Sequence, residues 1–157
     1  MTDKALREQL VKLLDWEEAH VPFDKAVQGI PASKRGVVPA GWEHSLWQLV
    51  EHIRMAQADI LEFSVSAKYQ EKKWPDDYWP KSPAPPSAAA WSQSLAAVRK
   101  DRKAMQRLAR NGRIDLGAAI PHGTGQTYLR EILLVAVHNS YHFGQIVALR
   151  RQLGLWK

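Results

Sequence analysis

Between Gln126 and Leu153 the chain repeats apolar residues at helical spacing, but the stripe is not a plain hydrocarbon one. At about 3.6 residues per turn, Tyr128, Glu131, Val135, His138, His142, Ile146, Leu149 and Leu153 fall on one face, so two imidazoles and a carboxylate point where a core is expected. Three further amphipathic stretches precede it. The first runs from a Thr2 cap to about His20, with Leu6, Leu10, Leu13 and Leu14 as its apolar stripe. The second runs from about Glu43 to Ala67 and puts Ser45, Leu49, His52, Ala56, Ile60 and Phe63 on one face, so His52 also points inward. The third, capped by Ser87, runs from Ala88 to a stop at Asn111-Gly112 and buries Trp91, Leu95, Val98, Met105 and Leu108. Thr124 or Thr127 caps the last.

The connections are long. Residues 23–41 hold Gly29, Pro31, Gly36, Pro39 and Gly41, with one helical turn expected near Asp24 to Gln28. Residues 69–87 hold five prolines and should be anchored by Trp74, Tyr78 and Trp79. No strand pair and no repeat stands out. The pattern predicts an all-α, up-down four-helix bundle with long inter-helix connections, forming one domain over residues 1–157.

Composition narrows the chemistry. There is no cysteine, so a metal site must be built from imidazole and carboxylate. His138 and His142 are four residues apart, about 6 Å along a helix axis, close enough to share an ion. His52 supplies a third inward imidazole, and three protein ligands without a fourth leave a position for water or substrate. The competing reading is three hydrogen-bonded core histidines. The sequence His138-Asn-Ser-Tyr-His142 lacks the glutamate of a zinc peptidase, which disfavours peptide hydrolysis. Glu131 is a candidate catalytic carboxylate, with an internal ion pair, for example to Arg102, as the alternative. Gln145 lies at the edge of the face, Tyr141 off it as a packing residue, His20 and His44 at helix ends, and His122 at the rim of the site.

Charge and aromatic content change less. The net charge is +6, and Arg99 to Arg113 hold seven basic residues against one acid; without interleaved aromatics this reads as a solvated helix face, and a nucleic-acid partner is not expected. The positive surface would suit an anionic cosubstrate. Trp42, Trp47, Trp74, Trp79, Trp91 and Trp156 suggest plugs at bundle ends. No run approaches 18 uninterrupted apolar residues and the first residues carry acids in an amphipathic pattern, so neither a membrane span nor a secretory signal is expected, and the default location is cytoplasmic.

The segments HSLWQLVEHIRMAQADIL (44–61) and HGTGQTYLREILLVAVHNSYHFGQIVALRRQLG (122–154) resemble the DinB-like superfamily, the DinB/YfiT-like metalloenzymes. The resemblance covers most of the chain. It implies an up-down four-helix bundle holding a divalent metal, often nickel or zinc, on His52, His138 and His142; manganese or iron would also suit three imidazoles. It further implies frequent homodimers and, for some members, transferase or isomerase activity with a low-molecular-weight thiol cosubstrate. Two readings follow: a metal-dependent enzyme activating a thiol or water against a small electrophile, as a thiol S-transferase or hydrolase, or a non-enzymatic, stress-related metal-binding bundle.

Overall fold

A computed structural model describes residues 3–156. Its helices are α1 (Asp3–Leu13), α2 (Phe23–Val27), α3 (Leu46–Val65), α4 (Ala88–Arg110) and α5 (Tyr128–Gln152), with 3-10 turns at Ala32–Lys34 and Asp76–Tyr78. Among the described residues there is no strand beyond one isolated bridge, Ala119 to Thr127, so the expected all-α bundle is present.

Caps explain where the helices begin. Ser45 and Gln48 form a reciprocal capping box on α3, and the Ser45 hydroxyl also reaches the Pro83 carbonyl of the proline-rich connection. Ser87 and Thr127 cap α4 and α5. The Thr2 cap lies outside the described residues. Helix α1 stops at Leu13, seven residues short of the expected end at His20. A continuation would have placed Asp15, Glu17 and Glu18 in its last turns, where acids oppose the helix dipole. Asp15 is instead held 2.7 Å from buried Arg102.

Side-chain contacts fix the chain directions. Glu51 meets Ser94 and Gln57 meets Val98, so α3 and α4 run the same way. Arg7 reaches the Ala109 carbonyl and Gln106 that of Val11, so α1 opposes α4. His52 meets His138 while Phe63 meets His122, so α5 opposes α3. The order is up, down, down, up. A 20-residue α3 is about 30 Å long, and the chain must travel back that length before α4 can start parallel to it. Residues 66–87 make that return, which is the physical reason for a connection longer than a bundle turn requires.

The core has two apolar clusters with a polar layer between them. One gathers α2, the first half of α3, the start of α4 and the last half of α5, including Phe23, Leu46, Ile53, Trp91, Phe143 and Ile146. Trp42, Trp79 and Trp156 pack against it, whereas Trp74 is 67% exposed. The other joins α1 to the end of α4 and the start of α5 through Leu10, Met105, Leu108, Ile132 and Val135. Between them, buried Gln57, Asn139, His52 and His142 replace hydrocarbon.

The basic segment 99–113 is not simply a solvated face. Arg102 is buried and pairs with Asp15 and Asp24, and Arg99 pairs with Asp24. Helix α5 is long and apolar enough to cross a membrane by length and composition, but half of that window is buried inside the bundle.

Candidate metal centre

His52 on α3 and His138 and His142 on α5 offer one ring nitrogen each within 4.8 Å of one another. His52 and His142 are buried and His138 is half-buried, so the group opens on the His138 side. The described residues bring no fourth imidazole or carboxylate into the group.

The hydrogen-bond partners of the other ring nitrogens decide what the group can do. His52 Nδ1 lies 2.8 Å from the Tyr78 carbonyl, which can only accept, so Nδ1 carries the proton and Nε2 keeps its lone pair. His142 Nδ1 donates in the same way to Gln145 Oε1 at 2.6 Å. For His138 the orientation is set at a distance. The Val98 carbonyl accepts from Gln57 Nε2 at 2.8 Å, which turns Gln57 Oε1 toward Asn139 Nδ2 at 2.7 Å. That leaves Asn139 Oδ1 facing His138 Nδ1 at 3.4 Å, a long contact that still favours a proton on Nδ1. All three Nε2 atoms therefore present lone pairs to a common point. His52 Nε2 and His138 Nε2 are 3.0 Å apart, where two lone pairs repel unless a cation or a shared proton lies between them. The donor set, neutral imidazoles with each second nitrogen tied to an acceptor, fits a divalent metal ion.

Burial sets the protonation. It lowers His52 and His142 to about 4 and lowers His138 from its ordinary value, so all three rings are neutral near pH 7. In the unfolded chain each titrates near 6.5, so below that pH the unfolded state takes up protons that the folded state refuses. Stability contributed by these rings is thus complete above about pH 6.5 and is lost as the pH falls toward 4. The melting temperature of metal-free protein should decline over this interval, and replacing His52 by Gln should flatten the decline; an unchanged slope would contradict the assignment.

The proline-rich connection closes one side. Trp79 stacks on His52 with ring centroids 3.9 Å apart and an interplanar angle of 2°, and His44 stacks on Trp79 at 3.8 Å. His44, expected as a helix-end residue, lies just before the Ser45 cap and has its own role as the outer leaf of this sandwich.

The remaining candidates lie elsewhere. Glu131 is two turns from His138, about 10 Å along α5, and is buried against Arg130, not Arg102. Tyr141 is 64% exposed and accepts from Gln145 Nε2, so it is not packed on a neighbouring helix. His20 sits in the segment after α1 with Nε2 2.9 Å from Ser140 Oγ. His122 bonds to the Phe63 carbonyl beside a separate cavity. Helical spacing does not single out Gln57 and Asn139, although an amide beside each apolar helical stripe is the available signal. Tyr78 and Trp79 act from an aperiodic segment, and a backbone carbonyl leaves no mark in the sequence.

A family model described as the DinB superfamily matches residues 15–146, a span that includes all three histidines. No curated protein and no solved structure matches the chain.

Proposed function

This chain belongs to the DinB superfamily, and we propose that it is a metal-dependent enzyme that activates a low-molecular-weight thiol, or water, for attack on a small electrophile. The observation that carries this reading is the convergence of three lone-pair-bearing Nε2 atoms with no fourth ligand among the described residues. His52, His138 and His142 would hold the ion, with nickel or zinc as the proposed metals. A bound divalent cation supplies the positive charge that makes a thiol or water acidic near neutral pH. The protein's own contribution is orientation and exclusion of water. The Tyr78 carbonyl, Gln145 and the Gln57–Asn139 pair fix the three rings, and the Trp79 face covers His52. In the transfer reaction the thiol sulfur bonds to the electrophilic carbon, the leaving group departs with its electron pair, and the thiol proton goes to water.

The protein is proposed to act in the cytoplasm as a homodimer. Leu133, Leu134, Val137 and Tyr141 form an exposed apolar strip on α5, extended by exposed Gly144 and Ala148, which let a second copy of the helix approach closely.

The test is conjugation of a thiol panel to chlorodinitrobenzene and monochlorobimane by nickel- or zinc-loaded protein, before and after chelation. Turnover that disappears with the metal is expected. A large fall in melting temperature on chelation, with no conjugation by any thiol, would instead assign the metal a structural role in a non-enzymatic bundle.

A further inference from the structure

A cavity of about 550 Å³, separate from the imidazoles, lies between α3, α5 and the proline-rich connection. Asp59 follows His52 by two turns and Glu131 precedes His138 by two turns, so the cavity lies about 10 Å from the triad along both helices and on the same faces. Tyr78 joins the two places. Its carbonyl holds His52 and its hydroxyl, in the cavity wall, donates to Asp59 Oδ2 at 2.7 Å.

The electrostatics of this cavity oppose those of the molecule. The chain carries +6, yet Asp59, Glu71 and Glu131 line the cavity against one lining guanidinium, Arg130. Two of these carboxylates are deeply buried, Asp59 at 6% exposure and Glu131 at 2%. Asp59 Oδ1 is buried and accepts no hydrogen bond; the Lys72 ammonium lies 3.3 Å away but outside hydrogen-bonding geometry. Each of these two carboxylates already has a cation at the rim, Lys72 at 3.3 Å from Asp59 and Arg130 at 2.5 Å from Glu131, but these side chains are 36% and 56% exposed and can swing into water in exchange for a ligand. Burying carboxylates is costly unless a cation accompanies them. The rest of the wall is aromatic, with the Phe63 ring 5.1 Å from Tyr69 and 5.3 Å from His122, a surface suited to the methylenes beside an ammonium group.

We propose that this cavity binds a primary alkylammonium group, with Asp59 Oδ1 and Glu131 taking its charge in place of Lys72 and Arg130. The thiol or the electrophile carries that amine, and its reacting end lies about 10 Å away at the imidazoles; this last link rests on the function proposed above. The positive surface had suggested an anionic cosubstrate, and the charge of the cavity beside the triad indicates the opposite sign.

The ammonium site is tested first on metal-free, full-length protein by amide NMR titration. Hexylammonium should shift residues around Phe63, Tyr69 and His122 saturably, and hexanoate should bind at least about tenfold more weakly. Glu131→Gln should weaken hexylammonium binding, and Lys72→Met, which removes the competing ammonium, should strengthen it several-fold, a gain that a folding defect cannot imitate. Equal affinity for hexylammonium and hexanoate, or no gain in Lys72→Met, would overturn the site. The link is tested on metal-loaded protein, where 6-aminohexane-1-thiol should bind more tightly than 6-mercaptohexan-1-ol and lose that advantage in Glu131→Gln. Equal binding of the two thiols would overturn the link, whereas failure of the protein to take up metal would overturn the function proposed above and leave the hexylammonium result standing.

Discussion

Replacing His142 by Ala is expected to abolish stoichiometric metal binding. The side chain offers one of three ligand nitrogens, and the described residues contain no nearby imidazole or carboxylate to take its place. A two-ligand site on imidazole alone should lose at least about 100-fold in affinity, more than the 10–100-fold typical of removing an outer-sphere partner. Elemental analysis after dialysis should fall from about one ion per chain to near none. The protein should still fold, because the ring is at the edge of the polar layer and leaves Phe143 and Ile146 in place. The stabilisation by added metal, about 4 kcal/mol at a thousandfold excess over Kd, should vanish with it in a thermal shift series. Full metal occupancy in His142→Ala would remove the basis of the centre.

The second large effect is expected at Gln57, which touches no ligand directly. Gln57 is fully buried, donates to the Val98 carbonyl and accepts from Asn139. Gln57→Leu keeps much of the volume but strands the Asn139 amide in the core, at a cost of about 1–3 kcal/mol, while the Val98 carbonyl loses only its second donor and keeps its bond within α4. The freed Asn139 side chain can then turn its amide toward His138 Nδ1, which favours the tautomer with the proton on Nε2 and takes the lone pair away from the centre. Metal affinity should therefore drop about 10–100-fold in addition to the stability loss. Gln57→Glu, which keeps the acceptor to Asn139, separates the two effects: it should be destabilised through burial of charge while retaining tighter metal binding than Gln57→Leu. Equal metal affinity in wild-type and Gln57→Leu proteins would show that the amide relay does not hold His138.

Helical periodicity carried the essentials of the site. A face at 3.6-residue spacing is a local property, so the sequence alone placed His52, His138 and His142 inward, Ser87 as a cap, and Gln145 at the edge of the face, while its bond to His142 is a finding of the structure. The same reasoning put Glu131 on the ligand face but could not say how far along the groove it acts. Facing the same way does not bring two residues together, and two turns separate Glu131 from His138. For α1, the apolar stripe ran on through Leu14, while the pull of Arg102 on Asp15 came from another helix.

What the sequence determined by itself was a helical bundle with three inward imidazoles, because both follow from spacing along one chain. What only the tertiary structure decided was whatever depends on how segments are brought side by side. The long connection of residues 66–87 is compatible with either direction for α4, and contacts between the helices select the parallel one. The tautomers are set by a carbonyl of Tyr78 and by an amide relay that begins at Val98, both distant in sequence from the rings they orient. The acidic cavity beside the triad exists because α3, α5 and the proline-rich connection meet there, and a net charge summed over the chain hides its sign.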